Sequence, residues 1–231
     1  MQTAAKPVSV IPAPRRGRGP FSPPGGIQIQ PPVVKYLGAV PYTPTYEAMR
    51  RFTETRGPTT PDELWVLEHP PVYTVGVAGR KEHFPRRTEI PIERIDRGGQ
   101  ITYHGPGQAI VYTLVDLARR RLTVRAMVTT IEQAVIDTLA AHDVRAERKS
   151  SAPGVYVGGA KIAALGLRVQ RGGCYHGVAL NVNMDLAPFS AIDPCGYPGL
   201  AVTQTSALGV AAGTEQLGQA LAERISGLIE R

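Results

Sequence analysis

Apolar positions are sparse and aperiodic through residue 32 and become regular from Val33 onward. VVKYLGAV predicts a strand, and TPTYEAMRRFTETRG reads as a helix stopped by Gly57. ELWVLEHPPVYTVG holds two short apolar runs split by Pro70 and Pro71, which predicts two strands or a strand and a turn. ITYHGPGQAIVYTLVDL reads as strand, Gly-Pro-Gly turn, strand. Residues 123–142 carry the clearest helical signal, with Val128, Ile131, Val135, Leu139 and His142 on one face. GAKIAALGLRV and YHGVALNVN are strand-like and predicted to pair antiparallel across QRGG. A last helix near 214–230 shows the stripe Leu217, Leu221, Ile225 and Leu228. Strand runs with a few separated helices predict an α+β domain: a mixed, largely antiparallel sheet with flanking helices.

Composition narrows this picture. The chain has 231 residues, 42% hydrophobic and 19% charged, enough for one sizeable core over residues 33–231. No apolar run reaches the roughly 18–20 residues of a membrane span, so no membrane insertion is expected. Residues 1–32 hold eight prolines and no acid, and they are expected to form a disordered extension. Lys6, Arg15, Arg16 and Arg18 there supply +4 of the net charge of +7. The remaining +3 is ordinary for a domain, which argues against nucleic-acid binding. RRGRGP in the extension lacks the flanking strand and helix of a phosphate loop. Two cysteines make no disulfide framework, and without a secretory signal a cytoplasmic, reduced protein is expected.

Four stretches carry candidate chemistry. RGGQITYHGPGQ (97–108) sets glycines beside Arg97, Gln100, Thr102, Tyr103 and His104; it suits either a ligand-binding wall or a hairpin with turn glycines. Lys161 interrupts the apolar pattern of VGGAKIAALG, so it is either an exposed strand lysine or a buried cation or base. Cys195 lies in AIDPCGYPGL, too rich in turn-formers for a core element; it is either an idle loop thiol or a presented nucleophile. Cys174, beside a core-like strand, is expected to be the less reactive thiol. YHGVALNVNMDL adds His176, Asn181, Asn183 and Asp185, while His69 and His83 stand as second-line candidates with His176. No ligand spacing suits a structural zinc, so no metal is expected.

LEHPPVYTVG, RGGQITYHGPGQ, GGAKIAALGLRV, HGVALNVNMDL and IDPCG, in this order, resemble the lipoyl(octanoyl) transferase family over residues 33–207. The resemblance implies the fold of the biotin and lipoate ligase catalytic domain. It implies transfer of an octanoyl group from acyl carrier protein to a lysine of lipoyl domains. Those acceptors belong to 2-oxoacid dehydrogenase complexes and the glycine cleavage H protein. It makes Cys195 the acyl-bearing nucleophile and Lys161 the residue that lowers its pKa and accepts its proton. Substrate contacts carry over to Arg97, Gly98, Gly99, Gln100, Ile101, Thr102, Tyr103 and His104. They also carry over to Ala164, Leu165, Gly166, Gly177, Val178 and Ala179. No cofactor is implied, because the acyl group arrives as a thioester on the carrier's phosphopantetheine, and the enzyme is expected to be a monomer. Backbone N–H groups near 177–179 or 195–196 are the expected oxyanion donors. Two alternatives stay open: an ATP-dependent lipoate or biotin ligase of the same fold, and a non-catalytic module binding acyl carrier or nucleic acid.

Overall fold

The computed structural model describes residues 29–85, 87–150, 152–193 and 199–230. The expected extension and the PCG stretch with Cys195 therefore lie largely outside the described residues. Gln30, which the sequence assigns to the extension, holds a defined contact: its carbonyl accepts from Arg120 at 2.8 Å.

Ten strands and three α-helices follow one another among the described residues. They are β1 (Val33–Ala39), α1 (Tyr42–Thr55), β2 (Glu63–Glu68), β3 (Val72–Val75), β4 (Ile92–Arg94), β5 (Ile101–His104) and β6 (Gln108–Asp116). Then come α2 (Val124–Ala140), β7 (Glu147–Arg148), β8 (Val155–Val157), β9 (Ala160–Gln170), β10 (Gly173–Asn181) and α3 (Thr214–Ile229). Seven strands form one sheet in the order β1-β2-β6-β10-β9-β8-β7, with only β1 and β2 parallel. A small second sheet has the order β4-β3-β5.

The α+β architecture agrees with the sequence pattern, and the helices fall where their stripes predict. The β9–β10 hairpin turns at Arg171 and Gly172, both at positive φ (50° and 83°). That is the two-residue turn whose twist matches antiparallel strands. One expectation changes. The strands either side of Gly105-Pro106-Gly107 are not partners: β5 pairs with β3, while β6 pairs with β2 and β10. The glycine turn passes the chain between two sheets, and its Gly107 N–H donates to Glu68 Oε2 at 2.6 Å.

The large sheet is covered on both faces. Along β6, Ala109, Val111 and Val115 pack with Met127 and Ile131 of α2 and Leu217 and Leu221 of α3. Ile110, Tyr112 and Leu114 point the other way, toward Met49 of α1. The period of two along a strand places a second set of side chains beneath α1. A cavity opens beside that set.

Candidate active site

The cavity lies between the large sheet and the 97–104 segment and encloses about 520 Å³, part of it open to solvent. Its wall comprises Arg97–Thr102, His104, Ala164–Gly166 and Gly177–Ala179, joined by Tyr42, Ile110, Tyr112 and His176. Gly98 N–H donates to Leu167 O at 3.0 Å, seating the loop on β9. Gly166 makes this approach possible, since a Cβ there would stand 3.0 Å from Gly98 O and 3.3 Å from Arg97 Cδ. Tyr103 is the exception among the expected contacts. Thr102 and His104 face the cavity; Tyr103, between them on β5, turns to the opposite side. It packs there on Tyr73 and Phe189, with ring centroids 5.6 and 5.5 Å away. Strand alternation is the reason.

Lys161 is buried at 3% exposure. It lines a second, mostly apolar cavity with Val124, Val128, Ala152, Pro153 and Leu167. The two cavities share Gly98, Gly99, Gln100, Leu165 and Gly166. The Lys161 ammonium donates to Pro153 O at 3.1 Å and sits 5.3 Å from the centre of the Tyr156 ring. Gly154, at φ +137°, leaves it room: a Cβ there would stand 3.0 Å from Lys161 Cε. The Lys161 backbone is gripped as well, its N–H donating to Ala201 O (2.8 Å) and its C=O accepting from Thr203 N–H (3.0 Å). The segment following residues 194–198 thus runs alongside the lysine.

A directed hydrogen-bond chain connects the cavity wall to that segment. Gln108 Nε2 faces two acceptors, Asn181 Oδ1 at 2.9 Å and Tyr103 O at 3.3 Å, so its Oε1 faces His104 Nδ1 at 2.7 Å. His104 therefore carries its proton on Nδ1, and Nε2 accepts from the Thr74 hydroxyl at 3.3 Å. Thr74 accepts in turn from Arg97 at 2.9 Å. At the other end Asn181 Nδ2 donates to Thr203 O at 3.0 Å. Burial, helped by the charge of Arg97, pushes His104 down to about 3, so the ring is neutral at pH 7.

The second-line histidines separate. His176 lines the cavity at φ +62°, a left-handed conformation rare for a non-glycine residue in a strand. Its Nε2 lies 3.1 Å from Asp96 Oδ1, and the Tyr46 ring stacks on it at 5.5 Å. Burial lowers His176 despite the carboxylate. Burial alone would raise Asp96, but hydrogen bonds from His176 and Tyr175 outweigh it and hold the carboxyl far below its ordinary value. His69 sits behind the wall. Its Nδ1 lies 2.7 Å from Val40 O and its Nε2 2.7 Å from the Tyr112 hydroxyl. His83 lies outside both cavities, 2.9 Å from Asp193. Cys174 is buried in β10, and burial pushes its thiol up to about 11. Gly177–Ala179 belong to an interior strand bonded on both sides, so their N–H groups serve the sheet rather than an oxyanion.

Sequence reading missed Tyr42, Thr74, Asp96, Ile110 and Tyr112. The alternation along QAIVYTLVD was the available signal, but β6 is buried on both faces and no polar positions mark one side.

The lipoyl protein ligase A/B catalytic domain family matches residues 41–226. An octanoyltransferase of Dechloromonas aromatica is 57% identical over 195 residues, 84% of this chain and 95% of that protein. An octanoyltransferase of Thiobacillus denitrificans is 56% identical over 92% of this chain and 98% of its own length. A crystal structure of lipoate-protein ligase A bound with ATP superposes with a TM-score of 0.70 at 16% identity, covering 87% of this chain and 86% of the other. That likeness carries the fold alone. The chain belongs to the lipoyl protein ligase A/B catalytic domain family, and within it to the octanoyltransferases.

Proposed function

We propose that this octanoyltransferase, an acyltransferase of protein lipoylation, works by ping-pong transfer through a thioester on Cys195, with Lys161 as its proton partner. The observation that carries this reading is the burial of Lys161 at the edge of an acyl-sized apolar cavity. The role of Cys195 rests on the PCG motif, since that residue lies outside the described structure.

The donor is octanoyl-acyl carrier protein. The Cys195 thiolate attacks the octanoyl carbonyl carbon, the bond to the phosphopantetheine sulfur breaks, and that thiolate leaves with a proton from Lys161. The neutral lysine amine of a lipoyl domain then attacks the thioester. Its C–N bond forms, the Cys195 sulfur leaves, and Lys161 takes the amine's proton. The thioester is already activated, so no ATP, metal or other cofactor is needed. The acceptors are lipoyl domains of 2-oxoacid dehydrogenase complexes and the glycine cleavage H protein. The enzyme is proposed to act as a monomer in the cytoplasm, without nucleic acid or membrane; the ordinary net charge left outside residues 1–32 supports the absence of a nucleic-acid partner. Among the described residues no helix is long and apolar enough to cross a membrane.

Intact mass measurement after mixing with octanoyl-acyl carrier protein tests the reading. An octanoyl adduct is expected, lost in Cys195→Ser and kept in Cys174→Ser. In Lys161→Ala the alkylation profile of Cys195 is expected to move to higher pH. An adduct indifferent to Cys195 overturns the thioester, and pyrophosphate exchange into ATP with lipoate would favour a ligase instead.

A further inference from the structure

The two cavities give the acyl site a direction. Lys161 marks the reacting end, in the second cavity. Gly98, Gly99, Gln100, Leu165 and Gly166 line both cavities, which therefore adjoin there. Tyr42, Ile110 and Tyr112 line only the first cavity, the one without Lys161. An acyl chain with its carbonyl at Lys161 and its tail in the first cavity would end against these three side chains. They are almost wholly buried, at 6%, 1% and 4% exposure.

This wall is braced. Val40 O can only accept, so His69 Nδ1 carries a proton. Burial lowers His69 to about 4, so at pH 7 its Nε2 has no proton and accepts from the Tyr112 hydroxyl. The Tyr112 ring is therefore held by its backbone at one end and its hydroxyl at the other. Tyr42 lies across the same histidine, ring centroids 5.0 Å apart. Ile110 stands two residues from Tyr112 on the same face of β6, backed by the cluster of Trp65, Leu67 and Leu114. A side chain so packed cannot yield to an added methylene without strain.

We propose that Ile110 and Tyr112, the latter braced by His69, form the stop that sets the length of acyl chain the enzyme transfers. Ile110 and Tyr112 meet the chain's terminal carbons and determine specificity. His69 is a positioning residue that acts through Tyr112. The proposal rests on the acyl-transfer reading above.

Octanoyl-, decanoyl- and dodecanoyl-acyl carrier protein supplied separately to the full chain test it, with kcat/KM measured for each. One methylene in a fitted apolar pocket changes discrimination by roughly 10–200-fold. Ile110→Ala is expected to raise the decanoyl-to-octanoyl ratio by about tenfold or more. Ile110→Val, which removes one methylene and spares the packing, is expected to move the ratio the same way by less. His69→Ala is expected to raise the ratio, and His69→Gln, which offers an N–H to Val40 O and an oxygen to Tyr112, to restore it. A merely structural His69 would lower all three rates together. Ratios unchanged in both Ile110 variants overturn the stop. Absence of octanoyl transfer by the wild-type chain overturns the transfer reading instead, so the two failures are separable.

Discussion

At the scale of single residues, the site depends on imidazoles kept neutral by burial. His104 is lowered to about 3 and His69 to about 4, against an ordinary 6.5. In the unfolded chain both take a proton as pH falls through about 6.5; in the folded chain they refuse it until far lower. Their contribution to stability is therefore complete above that value and lost progressively as pH drops toward 4. Asp96 and Asp62 are held below their ordinary 3.8, so their contributions persist down to that pH and fade only beneath it. Unfolding free energy is accordingly expected to fall between pH 7 and 4.5 for histidine reasons alone. His69→Gln should flatten part of that slope. A flat wild-type profile over this interval would refute the neutral-imidazole account.

At the scale of elements, the sheet supplies the cavity wall and α2 supplies the rim of the lysine cavity through Val124 and Val128. That helix starts at Thr123, whose hydroxyl oxygen accepts from Ala126 N–H at 3.1 Å. Thr123→Ala removes the cap and is expected to cost about 1 kcal/mol, read from urea unfolding. A loss near zero would mean the first turn is held by packing alone. The Ile131, Val135 and Leu139 stripe of α2 is legible in sequence because it is local: a 3.6-residue period needs no partner to be seen. The separation of β5 from β6 was not legible. The glycine turn between them suits a hairpin equally well, and which strand each edge meets is decided by distant segments.

At the scale of the whole molecule, Asp62 joins the ends of several elements. Its side chain is fully buried and accepts from Arg56 (2.5 Å), Arg119 (2.6 Å) and Arg120 (2.6 Å), and from Asp116 N–H at 2.8 Å. Arg120 also donates to Ile229 O at 3.2 Å, bringing in the end of α3. Burial alone would raise the carboxyl, but the Asp116 N–H and the arginines outweigh it. Asp62→Asn keeps the shape and leaves three guanidinium groups without their shared charge. Breaking one side of a buried ion network costs roughly 3–5 kcal/mol. A loss of that size in thermal or denaturant unfolding is expected, and a near-neutral variant would show that water replaces the carboxylate.

The chain's order of residues determined by itself where its helices lie and the β9–β10 hairpin, while the resemblance of its motifs to a family pointed to the segments 97–104, 164–166 and 177–179. The helices and the hairpin are properties of spacing and backbone freedom, written within a few neighbouring residues. Only the tertiary structure decided that Lys161 is buried rather than exposed, that Tyr103 turns away, and that Tyr42, Ile110 and Tyr112 line the cavity. A strand covered on both faces carries no alternation to show which side faces the ligand. The contact between His69 and Tyr112 spans 43 positions of sequence and exists because β2 and β6 lie side by side.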